Sequence, residues 1–170
     1  MIIRRLKESD LATRVEWMNN PKIYSNMHFE VPVKLDKTID WFNRNITRED
    51  RLDLAVCESA EEGAKILAFG GFVSIDKSIS KAETYLFVNP DYIGQGIGSK
   101  AKALMIDYAF EIIGLNKLYV ITNEDNLPSI RVQEKFGYQL EGRFRQEYIT
   151  NNGELKDRLY FGLLKSDWKQ

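Results

Sequence analysis

Three glycines at alternate positions, Gly94, Gly96 and Gly98, form the segment of this chain with the clearest chemical potential. They follow a short apolar run at 85–88 and precede apolar residues that recur at helical spacing over 101–112. Glycine lets a backbone approach an anion closely, and the N–H groups and dipole at a helix start favour negative charge. The pattern predicts a phosphate-binding loop between a strand and a helix, while an ordinary glycine-rich turn fits these residues equally well.

Two well-known phosphate motifs do not fit this loop. A nucleoside-triphosphate P-loop needs Gly, four residues and then Gly-Lys-Ser/Thr, but the position five after Gly94 is Ser99 and the one five after Gly96 is Ala101. A dinucleotide fingerprint needs Gly-x-Gly-x-x-Gly, and here the third glycine comes one residue too early. The loop therefore predicts a different phosphate-bearing partner.

A second segment, over 123–138, has the residue types of another loop followed by a helix. A strand at 117–122 leads into an Asn/Asp-rich loop, Pro128 suits a first helical turn, and Gly137 suits a helix end. With the glycine loop, this segment resembles the GNAT superfamily of N-acetyltransferases. That family's acetyl-coenzyme A loop reads Arg/Gln-x-x-Gly-x-Gly/Ala, and its next helix follows Asn-x-x-Ser/Ala and closes with Lys-x-Gly-Phe/Tyr. The matching stretches here are Ile93-x-x-Gly96-x-Gly98, Asn126-x-x-Ser129 and Lys135-x-Gly137-Tyr138.

The resemblance covers nearly the whole chain and looks closest to RimJ/RimL-type enzymes. It implies an α+β fold in αβα layers, with a mixed central sheet of about seven strands that contains a splayed parallel pair, 83–88 and 117–122. It also implies a single N-acetyltransferase domain over residues 1–170, and it allows a homodimer. The elements expected from the residue pattern are strands near 2–6, 52–56, 65–75, 82–88, 117–122, 138–149 and 156–164, and helices at 9–19, 36–46, 99–113 and 128–136. Ser9 and Asp36 are the expected caps of the first two helices, 21–34 is an expected loop, and Asn151-Asn152-Gly153 predicts the turn of the last hairpin.

By this resemblance, acetyl-coenzyme A is the co-substrate. The backbone of one strand end would hold the pantetheine arm, the Val88 N–H would polarise the thioester carbonyl, and the glycine loop would hold the pyrophosphate. Ile93 stands where the family has Arg or Gln, which removes one side-chain donor. Lys100 and Lys102 are expected to be solvated. The implied cofactor-binding residues are Leu86, Phe87, Val88, Ile93, Gly94, Gln95, Gly96, Ile97, Gly98, Ser99 and Asn126.

Two residues are candidates for proton transfer. The resemblance places Glu83, in Ala82-Glu83-Thr84, as the base that deprotonates the acceptor amine directly or through water. Many relatives have a tyrosine acid seven residues after the loop asparagine, but that position is Gln133 here, so Ser129 is the candidate acid. An exposed strand glutamate and a helix-start serine are the alternative interpretations, and Asn126 would orient pantetheine, cap its helix or do both.

The expected reaction is transfer of acetyl from acetyl-coenzyme A to a primary amine by direct attack. The acceptor would be a protein N-terminus, a polyamine or an amino sugar, and the alternative is a catalytically degenerate acyl-coenzyme A-binding module. The acceptor side is expected to come from the N-terminal helices and the last hairpin. Aromatic candidates for its walls are Trp17, Tyr24, Phe29, Trp41 and Tyr148, and acidic candidates for attracting an amine are Glu30, Asp36 and Asp40.

Composition narrows the class of protein. Apolar residues make up 44% and charged residues 29% of 170, with a net charge of −1, so nothing predicts binding to nucleic acid or an anionic membrane. The one cysteine, Cys57, excludes an internal disulfide and fits a reducing compartment. A single histidine, His28, predicts no metal site. Because no signal-like or membrane-spanning apolar run is present, a cytoplasmic location is expected.

Overall fold

A computed structural model of the chain describes residues 1–25, 27, 29–150 and 153–168. Its seven strands are β1 Ile2–Arg5, β2 Leu52–Cys57, β3 Ile66–Asp76, β4 Lys81–Val88, β5 Lys117–Asn123, β6 Gln139–Ile149 and β7 Leu155–Leu164. They form one sheet in the order β1-β2-β3-β4-β5-β7-β6. The α-helices are α1 Leu11–Met18, α2 Pro21–Tyr24, α3 Leu35–Asn45, α4 Ile97–Asp107 and α5 Leu127–Lys135. This confirms the expected α+β fold.

The parallel pair lies where the sequence predicts it. Lys81, Ala82 and Glu83 of β4 pair with Lys117, Leu118 and Tyr119 of β5, whereas β1–β2, β2–β3, β5–β7 and β6–β7 are antiparallel. The sheet is therefore mixed. After α4 the chain continues as a π-helix over Tyr108–Ile113 and turns at Gly114, the predicted end of this helical segment.

The chain divides into two compact units. The first comprises Met1–Val73 and Tyr85–Met105, and the second comprises Ser74–Thr84 and Ile106–Gln170. A single domain over 1–170 stays a prediction. None of the helices in the part of the chain that the structure describes is long and apolar enough to cross a membrane.

Aromatic packing dominates the core of the first unit. The ring centroid of Phe69 lies 4.9 Å from that of Trp17 and 5.7 Å from that of Phe87. Cys57 is 1% exposed within β2, as its apolar strand pattern predicts. Burial on this scale supplies most of the free energy that holds β1, β2, β3 and α1 together.

The second unit is built on β5, β6 and β7. Tyr119 of β5 and Tyr160 of β7 stack with their ring centroids 4.9 Å apart. The register of β6 shifts between Phe144 and Tyr148, where Gln146 has a φ of 55° and its N–H donates to the Asp157 carboxylate at 2.8 Å. The antiparallel pairing of β6 with β7 confirms the hairpin that the sequence predicts.

Three predictions about the N-terminal helices are wrong. Ser9 does not cap α1, because it lies inside a 3₁₀ turn over Glu8–Asp10. Asp36 does not cap α3, which begins after Lys34 and contains Asp36 in its first turn. Residues 21–34 are not all loop, since the Asn20 carboxamide oxygen accepts the Lys22 N–H at 3.0 Å and starts α2. An Asn-Pro pair that reads as a helix end is here a helix start.

Some predicted features lie outside the described residues. They are His28 and two residues of the predicted hairpin turn, Asn151 and Asn152. Gly153, the next residue, has a φ of 82°, and its N–H donates to the Thr150 carbonyl at 2.9 Å.

Candidate active site

The glycine loop begins with a tightly turned stretch after β4. Asn89 accepts the Asp91 N–H through its side-chain oxygen at 3.0 Å, and the Gln95 N–H donates to the Tyr92 carbonyl at 3.1 Å. Gly94 and Gly96 have φ values of 84° and 79°, a region that other residues rarely adopt. No atom lies within 4 Å of where a Cβ would sit at either glycine, so the loop presents open backbone on its outer side.

The helix that follows starts directly from this loop. The Lys100 N–H donates to the Gly96 carbonyl at 3.2 Å, so the Ile97 and Gly98 N–H groups precede the first helical hydrogen bond. A Cβ on Gly98 would lie 3.3 Å from a methyl of Val88, so glycine lets the start of α4 pack closely on β4. N–H groups at a helix start beside open glycine backbone fit the pyrophosphate of coenzyme A.

The side chains of Ile93, Gln95 and Ser99 differ in their surroundings. The Gln95 amide nitrogen donates to the Asp91 carbonyl at 2.9 Å, and this bond braces the turn. Ile93, at the family's Arg/Gln position, is 48% exposed. Ser99 lies in the first turn of α4 and is half-buried. Binding of the pyrophosphate by main-chain N–H groups of the loop stays a prediction.

The strand before the loop packs its side chains on alternate sides. Phe87 is 5% exposed in the aromatic cluster with Phe69, whereas Leu86 and Val88 pack around Ala68 and Ala101. Their side chains are thus part of the packing, in agreement with the sequence analysis. Contact between their backbone and a cofactor stays a prediction.

Lys102 corrects one expectation. Its side chain is not solvated: it is only 4% exposed on α4, whereas Lys100 is exposed. Burial disfavours the ammonium and lowers the pKa of Lys102 to about 7. The sequence gives a weak signal for this, since Lys102 directly follows Ala101 on the apolar side of the helix.

Glu83 lies in the second unit, on the paired half of β4, and is half-buried. Burial raises the pKa of its carboxyl, while the positive charge of Arg158 lowers it. Burial raises the pKa of Tyr119 and raises that of Tyr160 to about 12, and the Glu83 charge adds to both shifts. A carboxylate with a raised pKa beside a tyrosine pair is chemically suited to accept a proton near neutral pH.

Asn126 and Ser129 lie together at the start of α5, also in the second unit. The Asn126 side-chain oxygen accepts the Ser129 N–H at 3.2 Å, so Asn126 caps the helix. Gln133 is one turn further on and 5% exposed, and its amide nitrogen donates to the Ser129 hydroxyl oxygen over a long 3.5 Å. Its carbonyl oxygen has no hydrogen-bond partner within the described residues. Ser129 therefore lies in the first turn of α5, and its hydroxyl oxygen has a hydrogen-bond donor beside it.

A cavity of about 710 Å³ lies within the first unit. Residues of α1, α3, β4 and the segment between α2 and α3 line it, and its walls are mostly apolar. Tyr85 and Phe87, which flank Leu86 on β4, are part of the wall. The cavity therefore adjoins the strand segment predicted to hold the thioester.

Some of the expected acceptor-side residues line this cavity and others do not. Phe29, Glu30 and Trp41 are in its wall. Trp17 is instead 6% exposed in the core against Phe69. The Tyr148 hydroxyl, in the second unit, donates to Asp125 at 2.8 Å. The described lining residues do not include Tyr24, Asp36 or Asp40.

The sequence analysis missed Arg14, which is 5% exposed and lines the cavity. Its Nε and Nη1 atoms are buried and have no hydrogen-bond partner within the described residues. Its guanidinium carbon lies 5.0 Å from the Trp41 ring centroid and 5.1 Å from that of Phe87. The available signal was a cation inside the apolar stripe of α1, three residues after Leu11 and four before Met18.

Comparison with known proteins identifies the family. The model of the acetyltransferase (GNAT) domain matches residues 1–139. Spermidine N(1)-acetyltransferase of Escherichia coli K12 is 27% identical over 151 residues, which are 88% of this chain and 78% of that protein. The uncharacterized N-acetyltransferase p20 of Bacillus licheniformis is 24% identical over 173 residues, 99% of this chain and 94% of that protein.

A solved structure shows the same fold. The crystal structure of spermidine N-acetyltransferase from Vibrio cholerae, in complex with CoA and spermine, has a TM-score of 0.87. It is 23% identical and the match covers 98% of this chain and 96% of that one. The narrower resemblance to RimJ/RimL-type enzymes stays a prediction. Because the family model spans most of the sequence, the chain belongs to the GNAT acetyltransferase family and is an acetyl-coenzyme A-dependent N-acetyltransferase.

Proposed function

We propose that this enzyme transfers acetyl from acetyl-coenzyme A directly to a primary amine, without an acyl-enzyme. The observation that carries the proposal is the half-buried carboxylate of Glu83, whose pKa is raised by burial. Glu83 lies on β4 three residues before Leu86, where the segment predicted to hold the thioester begins. A base on this strand has the chemistry that an amine acceptor needs.

The need to deprotonate the acceptor amine gives Glu83 its role. An alkylamine has a pKa of about 10, so at neutral pH it is mostly protonated and not nucleophilic. Glu83 accepts one amine proton, directly or through water, and the amine nitrogen then attacks the thioester carbonyl carbon. The new C–N bond forms, the C–S bond breaks, and coenzyme A leaves as a thiolate. The Val88 N–H stabilises the negative oxygen of the tetrahedral intermediate.

Ser129 protonates the departing coenzyme A thiolate in this proposal, and it recovers the second proton that the amine nitrogen loses as it becomes an amide nitrogen. The Gln133 amide nitrogen donates toward the Ser129 oxygen, so the serine hydrogen is available to point elsewhere. A tyrosine would do the same work with a more acidic hydroxyl, whereas Gln133 cannot do it, because a carboxamide N–H is far less acidic than a hydroxyl. The glycine loop holds the pyrophosphate through Gly94, Gly96 and the N–H groups at the start of α4.

The names of the relatives support an amine acceptor. The proteins of Escherichia coli and Vibrio cholerae are spermidine acetyltransferases, and one of the solved structures contains spermine. Polyamines, protein N-termini and amino sugars all present a primary amine that fits this mechanism. These three acceptor classes share the primary amine, and the proposal therefore concerns that amine. The rest of the acceptor molecule is a separate question.

The test is acetyl-coenzyme A consumption against a panel of primary amines, with product identified by mass. Glu83→Gln is expected to lower turnover at least tenfold at neutral pH and to leave coenzyme A affinity nearly unchanged, since general-base catalysis contributes at least that much. Glu134→Gln, the same change at an exposed position on α5, is the control. Unaltered turnover in Glu83→Gln removes Glu83 from the mechanism, and cofactor binding without transfer to any amine favours the degenerate module.

A further inference from the structure

The cavity in the first unit has the position of an acceptor pocket. Tyr85 and Phe87 in its wall flank Leu86, the start of the segment predicted to hold the thioester. Its volume of about 710 Å³ lies within the range of small-molecule sites. What the acceptor carries besides its amine can therefore be read from the groups that line this cavity.

The buried guanidinium of Arg14 is the polar group of the cavity that most needs a partner. Two of its three nitrogens, Nε and Nη1, are buried and have no hydrogen-bond acceptor among the described residues. The third nitrogen, Nη2, is not one of these buried, unpaired atoms. Four aromatic rings face its carbon: Trp41 at 5.0 Å, Phe87 at 5.1 Å, Phe69 at 5.6 Å and Tyr85 at 5.7 Å. Ring faces stabilise the cation but give its N–H groups no conventional acceptor. A buried charge without a counter-charge is costly, so an incoming anion would be strongly favoured here.

The other charged groups of the cavity leave its potential positive. Arg51 is neutralised by Asp53, at 2.8 Å, and Asp53 also accepts the Tyr85 hydroxyl. Among the described lining residues, the remaining charged ones are Arg14, Lys34 and Lys37 against one carboxylate, Glu30. Lys34, Lys37 and Glu30 are exposed at the rim, whereas Arg14 is buried. A polyamine, with several positive charges, would meet net repulsion in this cavity.

We propose that the acceptor is a primary amine that also carries a carboxylate, and that Arg14 binds this carboxylate while apolar walls hold the chain between the two groups. This inference rests on the proposed function and names its substrate class. Guanidinium and carboxylate form strong charge-assisted hydrogen bonds, and Met18, Phe29 and Trp41 supply the apolar wall. The amine end would then reach toward the β4 segment that adjoins the cavity.

Matched substrate pairs test the inference without any mutation. 5-Aminopentanoate and pentylamine have the same amine and differ by the carboxylate, as do 6-aminohexanoate and hexylamine, and spermidine serves as the polycation. The expected kcat/KM is at least about tenfold higher for the carboxylate-bearing member of a pair, the discrimination expected from one hydrogen bond to a charged group. Spermidine is expected to be the poorer substrate as well.

Variants then assign the preference to Arg14. Arg14→Met is expected to abolish the preference within each pair, and Arg14→Lys, which keeps the charge, to retain part of it. Arg44→Met is the matched control, because Arg44 is an exposed arginine of α3 that is absent from the described cavity wall. If Arg14→Met does not fold, the substrate pairs assayed with the wild-type enzyme and with Arg14→Lys still test whether Arg14 binds a carboxylate of the acceptor.

Three other outcomes separate this inference from the proposed function. Equal or better use of pentylamine or spermidine overturns the carboxylate inference and leaves amine acetylation standing. An unchanged preference in folded Arg14→Met overturns the role of Arg14. If no amine is acetylated, the proposed function fails. Calorimetric titration with 5-aminopentanoate and pentylamine then tests the carboxylate inference independently of activity. Tighter binding of 5-aminopentanoate than of pentylamine, lost in Arg14→Met, supports it, and equal binding overturns it.

Discussion

At the residue scale, burial shifts two side chains of opposite charge toward their neutral forms. The pKa of the Glu83 carboxyl is raised, and that of the Lys102 ammonium is lowered to about 7. In both cases removal from water disfavours the charged form. For Glu83 the shift serves the proposed base, because a carboxylate with a raised pKa accepts a proton more readily at neutral pH. Lys102 has no part in the proposed reaction, so its shift acts on stability.

The pH dependence of the free energy of unfolding should reveal the lowered pKa of Lys102. In the unfolded chain a lysine has a pKa of about 10.4. In the folded chain the pKa of Lys102 is about 7. Between these two pKa values the unfolded state binds more protons than the folded state. The free energy of unfolding therefore rises with pH across that window, by at most about 1.4 kcal/mol per pH unit. Lys102→Met removes this dependence. Urea unfolding should show Lys102→Met gaining more relative to wild type at pH 6 than at pH 9.

Lys100→Met provides the comparison for that experiment. It makes the same chemical change two residues earlier, at an exposed position. Its free energy of unfolding should follow that of the wild type at both pH values. Parallel pH dependence of Lys102→Met and the wild type would contradict the burial of the ammonium.

At the element scale, the junction of β4, the glycine loop and α4 determines where an anion can bind. Gly94 and Gly96 adopt backbone conformations that leave their outer side open, and α4 begins one residue after Gly96. The N–H groups of the first helical turn therefore follow directly on open backbone. A side chain at Gly96 would occupy this space, and a negative one would repel a phosphate.

Gly96→Asp is expected to weaken coenzyme A binding by tenfold or more, measured by calorimetric titration. Gly63→Asp is the matched control, because Gly63 has a φ of 77°, close to the 79° of Gly96, and no atom within 4 Å of a Cβ. Both variants should lose about 1 kcal/mol of stability from the strained backbone. Coenzyme A affinity equal to wild type in Gly96→Asp would refute the loop assignment.

Local patterns explain which elements could be predicted from the sequence. The alternation over 52–57 and the helical spacing after Gly98 each depend on residues close in the chain, so β2 and α4 follow from the sequence. The start of α1 does not, because the Asp10 carboxylate accepts the Lys7 N–H at 2.8 Å and pairs with Arg4 of β1 at 2.7 Å. That second contact is tertiary and gives no local signal.

At the scale of the whole molecule, the family is readable from motif order, whereas the proposed acceptor pocket is not. The motifs at 93–98 and 126–138 occur in a fixed order along the chain, and their spacing is visible in the sequence. The cavity instead gathers side chains from α1, α3, β4 and a connecting segment, so Arg14 meets Trp41 and Phe87 only in the folded unit. A net charge of −1 for the chain also conceals a locally positive cavity.

The most direct test of direct acetyl transfer is the intact mass of the enzyme during a single turnover with isotope-labelled acetyl-coenzyme A. Direct transfer predicts an unmodified protein mass before and after a primary amine is added, with labelled acetyl-amine and free coenzyme A formed in equal amounts. A protein that gains one labelled acetyl group and passes it to the amine at the rate of turnover would contradict it.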